Sequence, residues 1–251
     1  MSEIEWGLIA LILFLGGLVK GSIGFGFPAL AVPLLSLIIG PREAVVMLSV
    51  SVVVTNIDNV RRGIAEWRSL RLVLPYFIVG IVCVPLGVFF LRSGSPDLVR
   101  LVIGLVVIAY LGVQRFLPNM SNLGAPARRG IGAGLGFLAG FLAGMANLPG
   151  PVSIIYFSMF RLSKNAFIFV INAFNTLTVS SAIITFAASG EYTPSALTRA
   201  ALALVPVYVG FWTGVRLRER LSGERFFRLV NVGLFGVACL LLVRGLLKIL
   251  S

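Results

Sequence analysis

The chain contains no histidine, and only 12% of its 251 residues are charged. Without histidine it can form neither a histidine-ligated zinc or haem site nor a Ser-His-Asp triad. The sequence also lacks a GxxxxGK[ST] loop, which excludes ATP hydrolysis of the P-loop type. The two cysteines, Cys83 and Cys239, lie in apolar runs, which favours small buried hydrophobic residues over a disulfide. We therefore expect no enzymatic activity, no cofactor and no metal site.

Charge is scarce because the chain is mostly apolar. Hydrophobic residues make up 58% of it, and the mean hydropathy is +1.02. A soluble domain carries about 25% charged residues, so this composition predicts an integral membrane protein. The net charge of +12 would suggest nucleic acid in a soluble protein. In a membrane protein it is explained by basic residues that gather in cytoplasmic loops, and we expect no nucleic-acid partner.

Apolar stretches divide the chain into membrane segments. Those long enough for a full crossing, about 20 residues, are 43–60, 70–91, 98–117, 165–189, 196–215 and 226–249. Regions 6–40 and 130–162 are apolar but interrupted, the first by GSIGFGFP and the second by MANLPGP. Their arms of roughly 12–18 residues are about 18–27 Å long, and the shorter arms cannot cross a core of about 30 Å. We expect half-helices that meet inside the membrane.

The two interrupted regions match each other at an offset of 123 residues. The matching pairs are Gly17 and Gly140, Gly21 and Gly144, and Pro28 and Pro151. The stretch at 85–102 similarly parallels 213–230. The sequence therefore predicts two repeats, 1–117 and 130–251, joined by a linker at 118–129 with the Pro, Asn, Ser and Gly content of a loop. Membrane proteins built from repeats with broken helices are mostly secondary transporters.

The distribution of basic residues predicts how the repeats are oriented. If each interrupted region returns the chain to its starting side, one side of the membrane receives Arg61, Arg62, Arg68, Arg71, Arg115, Arg128, Arg129, Arg161, Lys164, Arg216, Arg218, Arg220, Arg225 and Arg228. The other side receives only Arg42, Arg92, Arg100, Arg199, Arg244 and Lys248. The positive-inside rule then places both termini outside and gives each repeat an odd number of crossings. We expect an all-α polytopic membrane protein of two inverted repeats. Each repeat has a broken or re-entrant helix pair plus three transmembrane helices, about eight to ten segments in total.

The two breaks are the candidate substrate site. Pro28 and Pro151 suit the first turn of a helix, where a missing N–H costs nothing. The residues that precede or adjoin them and present backbone N–H groups at membrane depth are Gly24, Phe25, Gly26, Asn147, Leu148 and Gly150. Helix N-termini bind anions, and two of them related by the pseudo-twofold axis would face one site at the membrane midplane. The alternative is a pair of Gly/Pro kinks that serve helix packing alone.

Polar side chains near the breaks extend this candidate site. Lys20 precedes the first break, and an ammonium inside the membrane indicates function unless it snorkels to an interface. Its repeat counterpart is Ala143, so the charge is not symmetric. Further hydroxyl and amide donors are Ser22, Asn56, Asn147, Asn172 and Asn175. Each of these is equally suited to a hydrogen bond between helices.

Asp58 is the acidic residue nearest the membrane interior and the candidate for proton coupling. Arg61 and Arg62 follow it at the i+3 and i+4 positions, so an ion pair at the end of the helix is the interpretation we favour.

Glycines recur every fourth residue in the second interrupted region. They are Gly132, Gly136, Gly140 and Gly144. This spacing places them on one helix face, where they let another helix pack closely. We interpret them as structural.

Longer stretches of both halves resemble a known family. GGLVKGSIGFGFPALAVPLL, the following PREAVV and TNIDN, and GLGFLAGFLAGMANLPGPVSIIYFSMFRLSKNA in the second half resemble the TauE/SafE sulfite exporters, also called TSUP or DUF81 permeases. The resemblance implies a multi-pass protein of the bacterial inner membrane. It also implies a substrate among sulfite, sulfonates such as sulfoacetate, and related sulfur-containing anions. The second break departs from the glycine-rich form, with Asn147-Leu148-Pro149 in place of Gly24-Phe25-Gly26.

These observations together predict a secondary transporter, most simply an exporter of small sulfur-containing anions by alternating access. With so few buried acids, we favour uniport over proton coupling. We expect the partners to be the anionic substrate and the lipid bilayer, and a homodimer is compatible with the sequence. Two alternatives stay open: an anion channel, and a membrane subunit of a larger transport complex.

Overall fold

A computed structural model describes residues 3–113, 125–160, 162–217, 239–240 and 242–243. In these residues the chain is helical and contains no strand, which confirms the predicted all-α class. The helices are α1 (Glu3–Ile23), α2 (Phe27–Ile38), α3 (Pro41–Arg62), α4 (Leu74–Ser93), α5 (Pro96–Val113), α6 (Ala125–Ala146), α7 (Gly150–Ser158), α8 (Lys164–Ala188) and α9 (Pro194–Leu217). A 3₁₀ segment, Ile64–Leu72, joins α3 to α4.

Five of these helices are long and apolar enough to cross a membrane: α1, α3, α4, α8 and α9. The expectation of a polytopic membrane protein is therefore confirmed. The span predicted at 70–91 begins later, at Leu74, because Pro75 starts α4 and the charged residues before it form the 3₁₀ segment. The predicted span 226–249 lies outside the described residues, except for the few noted above.

The interrupted regions differ from the prediction in one respect. Helix α1 has 21 residues, about 31 Å, so it is longer than the 12–18 residues estimated for the arms and long enough for a full crossing. Helix α6 likewise has 22 residues. The second arms are short as predicted, since α2 has 12 residues and α7 has 9, about 18 and 13 Å. Helix α1 continues through its glycines because those glycines pack against α9.

The helices pair in a pattern that supports the predicted duplication. Helix α1 runs along α9, α4 runs along α6, and α3 packs against α8. At the offset of 123, α1 corresponds to α6, α3 to α8 and α4 to α9. Each pairing therefore maps onto another pairing or onto itself. The first helix of each half packs on the fourth helix of the other half.

Glycines bring the paired helices into backbone contact. A Cβ added to Gly140 of α6 would overlap the carbonyl oxygen of Gly80, and one added to Gly144 would overlap that of Val84. In the other pair, Cβ atoms on Gly17 and Gly21 would overlap carbonyl oxygens of α9. The structural interpretation of the glycine face of α6 is confirmed. These two crossings leave no room for sliding, so each pair forms a rigid unit.

An aromatic cluster fixes the half-helix α7 against its neighbours. The rings of Tyr76 on α4 and Tyr156 on α7 stack with centroids 4.7 Å apart. Phe174 of α8 lies against Tyr76 at 4.6 Å. The hydroxyl groups of Tyr76 and Ser153, both buried, are 2.8 Å apart. Helix α7 is therefore held at a defined position between α4 and α8.

Candidate functional site

The two breaks border one small cavity. Its lining residues are Phe25, Gly26, Pro28, Ala29, Asn147, Leu148, Gly150, Pro151, Ile154 and Asn175. The cavity measures about 20 Å³, enough for one water molecule. The starts of α2 and α7 thus meet at one place.

The first break is held by amide side chains from two helices. Gly24 and Gly26 both have φ of 96°, a backbone conformation in which only glycine is unstrained. The carbonyl oxygen of Gly24 accepts hydrogen bonds from Asn59 Nδ2 of α3 at 3.1 Å and from Asn172 Nδ2 of α8 at 3.0 Å. The unwound segment is therefore fixed against both long central helices.

The second break uses an asparagine where the first uses glycine. Asn147, at the position equivalent to Gly24, also has a positive φ, 53°. Asparagine tolerates this left-handed conformation better than other side chains. Its amide donates to the carbonyl oxygen of Val45 at 3.0 Å and to Ser49 Oγ at 3.1 Å. The departure from the glycine-rich form thus preserves the backbone shape and adds two bonds to α3.

The bonds at the two breaks follow the proposed repeat. Gly24 is bonded by Asn172, and Asn147 bonds Ser49. At the offset of 123, Gly24 corresponds to Asn147 and Ser49 corresponds to Asn172. Each break is therefore bonded to the long helix of the opposite half at an equivalent position.

The breaks lie on either side of the middle of α3. Asn59 contacts the first break and Ser49 the second. These residues are ten positions apart, about 15 Å along the helix.

Lys20 is buried beside the first break, with 2% of its surface exposed. Its Nζ donates a hydrogen bond to Oδ1 of Asn56. The described residues provide no carboxylate in an ion pair with Lys20. The other amide atom of Asn56, Nδ2, is buried and has no hydrogen-bond partner there. Because the side chain lies inside the protein, Lys20 does not snorkel to an interface.

Most of the chain matches a known protein family. The family described as Sulfite exporter TauE/SafE matches residues 9–241. The chain belongs to the TauE/SafE family. This is a family of membrane permeases and not of enzymes, which agrees with a multi-pass membrane location. No curated protein and no solved structure matches the chain.

In this TauE/SafE protein, the cavity brings together only part of the predicted site. Its lining includes the predicted residues Phe25, Gly26, Asn147, Leu148, Gly150 and Asn175. The cavity lining does not include Lys20, Gly24 or Asn56. These residues belong instead to the hydrogen bonds that hold the first break and the end of α1 against α3. Ser22 bonds the carbonyl oxygens of Leu18 and Gly214, so its hydroxyl serves the contact between α1 and α9.

Asn175 and Asn147 are polar side chains that reach the cavity with bonding capacity left. Asn175 is 8% exposed, and its amide oxygen has no hydrogen-bond partner in the described part of the chain. The amide oxygen of Asn147 is also buried without a partner there. Buried polar atoms without partners are rare in folded proteins and mark places where a ligand or water binds.

Asp58 forms the ion pair that the sequence favoured. Its carboxylate lies 3.1 Å from the guanidinium of Arg62, one turn along α3. Arg62 also lies over the ring of Trp212, 5.3 Å from its centroid. Asp58 is not part of the cavity lining, and its proton-coupling role stays a prediction.

Asn59, like Ser49, is a polar residue at the breaks that sequence reasoning missed. It follows Asn56 by three positions, so the two amides share a helix face. That spacing beside the buried lysine was the available signal. Asn56 bonds Lys20 and Asn59 bonds Gly24, so one face of α3 contacts the first break together with Asn172 of α8.

Two substitutions at Asn147 separate its backbone role from its hydrogen bonds. Asn147→Gly keeps the left-handed backbone and loses the bonds to α3, whereas Asn147→Ala loses both. We expect the alanine variant to be less stable than the glycine variant by about 1 kcal/mol. Denaturant unfolding in detergent measures the difference. Equal stabilities would show that the backbone conformation contributes nothing.

Proposed function

We propose that this protein is a secondary transporter that exports small sulfur oxyanions or organosulfonates by alternating access. The observation that carries the proposal is Lys20, a buried lysine whose one described partner is a neutral amide. A buried charge without a counter-charge is costly, and an anionic substrate would supply that charge.

The other groups near Lys20 suit a ligand that only accepts hydrogen bonds. Among the described residues, Asn56 Nδ2 is a donor without a partner, and the helices α2 and α7 begin beside the cavity. Helix N-termini favour negative charge because their first N–H groups have no partner within the helix. A sulfite or sulfonate group presents three oxygen acceptors and no strong donor. The family description as sulfite exporters supports the same substrate class.

The packing suggests which parts move. The pairs α1 with α9 and α4 with α6 are locked by backbone contact at glycines. The cavity lies between the half-helix that follows α1 and the half-helix that follows α6. We therefore place the moving boundary between these two pairs, so that rocking exposes the cavity to each side in turn. A cavity of about 20 Å³ is too small for sulfite, so the rocking motion has to enlarge it before the anion binds.

A panel of anions tests the substrate class. Sulfite and sulfoacetate are expected to raise the apparent unfolding temperature of the purified protein, because a ligand of the folded state stabilises it. Sulfate, thiosulfate, acetate and zwitterionic taurine complete the panel and define selectivity. Efflux of the stabilising anion from proteoliposomes then tests transport. The proposal fails if no sulfur anion stabilises the protein or leaves the vesicles faster than from protein-free liposomes.

The same vesicles distinguish the channel alternative. A transporter is expected to saturate with substrate and to show no unitary current in a planar bilayer. Unitary conductance carried by sulfite would establish a channel instead. An isolated protein that binds the anion but needs an added partner for efflux would establish a subunit of a complex.

A further inference from the structure

A second and larger cavity opens at one end of the molecule. It measures about 240 Å³ and lies between the starts of α3 and α9. It is lined by Arg42, Glu43, Val46, Met47, Glu191, Thr193, Ala196 and Arg199. We refer to it as the outer crevice, because the distribution of basic residues predicts that this end faces outside. The proposed substrate site does not include any of these residues.

Every ion pair between the two halves of the described chain lies at the outer crevice. Glu191, in the loop before α9, pairs with Arg42 at the start of α3 and with Arg92 at the end of α4. Arg199 of α9 lies 3.8 Å from Glu43 of α3. The remaining described pairs, Asp58 with Arg62 and Asp97 with Arg100, are each within one helix. The halves are thus joined by charge at this end alone, as far as the described residues show.

Glu191 is bound as an oxyanion ligand would be. Both of its carboxylate oxygens accept hydrogen bonds from Arg42, with Nε to Oε2 at 2.8 Å, and Oε1 also accepts from Arg92 Nε at 2.8 Å. Its side chain is only 9% exposed. Burial alone would raise the pKa of Glu191, but the bonds and charges of the two arginines hold it below its usual value. The carboxylate therefore stays ionised at neutral pH.

Residues of α3 that line the outer crevice are close in sequence to residues that bond the second break. Val46 and Met47 form part of this lining. The hydroxyl of Tyr192 lies 3.5 Å from the carbonyl oxygen of Val46. On the adjoining turn of α3, Val45 and Ser49 bond Asn147, which lines the inner cavity. One stretch of α3, residues 45–49, therefore contributes to the outer crevice and also holds Asn147 of the inner cavity.

We propose that the outer crevice is a second anion-binding site on the transport route, in which the Glu191 carboxylate occupies Arg42 and Arg92 until a transported oxyanion displaces it. The site takes a sulfite or sulfonate group, since two guanidinium groups match the geometry of such oxygens. Displacing Glu191 also breaks the charged contact between the α4 end and the α9 loop. Arrival of the anion is thereby coupled to opening of the outer side. This inference rests on the proposed function.

Two variants, one that removes a negative charge and one that removes a positive charge, test the site. The assay uses right-side-out proteoliposomes loaded with radiolabelled sulfite. The quantity measured is the external sulfite concentration that halves efflux. Glu191→Gln frees the two arginines, and we expect this concentration to fall about tenfold. Arg42→Gln removes one binding group, and we expect it to rise by a similar factor. Glu3→Gln, an exposed residue at the same end, is the matched control and should leave it unchanged.

The opposite signs separate a binding site from a structural ion pair. If the ion pair were purely structural, both variants would change the external sulfite concentration that halves efflux in the same direction, or neither would change it. Either result overturns the proposal. If Arg42→Gln fails to give monodisperse protein, Arg92→Gln makes the same test from the other guanidinium. Wild-type protein without sulfite efflux would instead overturn the proposed function itself. If wild-type efflux is normal and both variants change the external sulfite concentration in the same direction, only the proposal of an outer site is overturned.

Discussion

Lys20→Met is expected to lower sulfite efflux from proteoliposomes by about 10- to 100-fold while leaving the fold intact. A hydrogen bond to a charged group contributes about 1.5–3 kcal/mol, and the variant removes the buried charge that pairs with the anion. Methionine has a similar length and no charge. It therefore fills the space beside Asn56 but cannot bind an anion.

Stability measurements distinguish loss of substrate binding from misfolding. Removing the buried charge relieves its desolvation cost but leaves Asn56 Oδ1 without its donor, so we expect the stability of Lys20→Met to stay within about 2 kcal/mol of wild type. Lys164→Met is the matched control, because Lys164 is exposed at the start of α8. Its efflux should equal that of wild type. Undiminished efflux by Lys20→Met would remove Lys20 from the site.

Gly140→Ala is expected to destabilise the protein by about 3 kcal/mol or more. The added methyl group overlaps the carbonyl oxygen of Gly80, a backbone atom that cannot rotate away. Helices α4 and α6 would have to separate, and with them the α7 half-helix that borders the cavity. Denaturant unfolding in detergent and the yield of monodisperse protein measure the effect.

Gly134→Ala, on the same helix, is the matched control. Gly134 is exposed, and a Cβ there meets no atom within 4 Å. Alanine in a helix is at least as favourable as glycine, so stability should stay within about 1 kcal/mol of wild type. A Gly140→Ala variant as stable as Gly134→Ala would show that the α4–α6 contact is not rigid. The moving boundary proposed above would then need to be redrawn.

Much of the helical organisation could be predicted because hydropathy and helix breakers act locally. The span predicted at 43–60 became Pro41–Arg62, bounded by a proline at one end and arginines at the other. The breaks were found from Gly24, Gly26 and Pro28, since those residue types end one helix and begin the next. Helix α1 was predicted too short because its internal glycines signal a break. Only the contact with α9 shows why they do not cause one there.

The contacts that define the two cavities could not be predicted, because they join residues far apart in the chain. Gly24 is bonded by Asn172, and Arg42 by Glu191. Hydrophobic periodicity carries no information on which distant side chains meet. The sequence did indicate that Asn147 occupies the position of Gly24. It could not show that the same left-handed backbone results, since asparagine adopts other conformations as readily.

The unequal pairs at the breaks have a consequence for the energetics of the cycle. If two inverted halves were identical, a twofold rotation would convert the inward-open state into the outward-open state. The two states would then have equal free energy. Here the equivalent positions differ: Gly24 corresponds to Asn147, Ser49 to Asn172, and Lys20 to Ala143. One hydrogen bond gained or lost contributes about 1 kcal/mol, which changes the ratio of the two states about fivefold. Under the proposed alternating-access mechanism, these three mismatches would give the empty protein a preferred resting side without any input from the membrane potential.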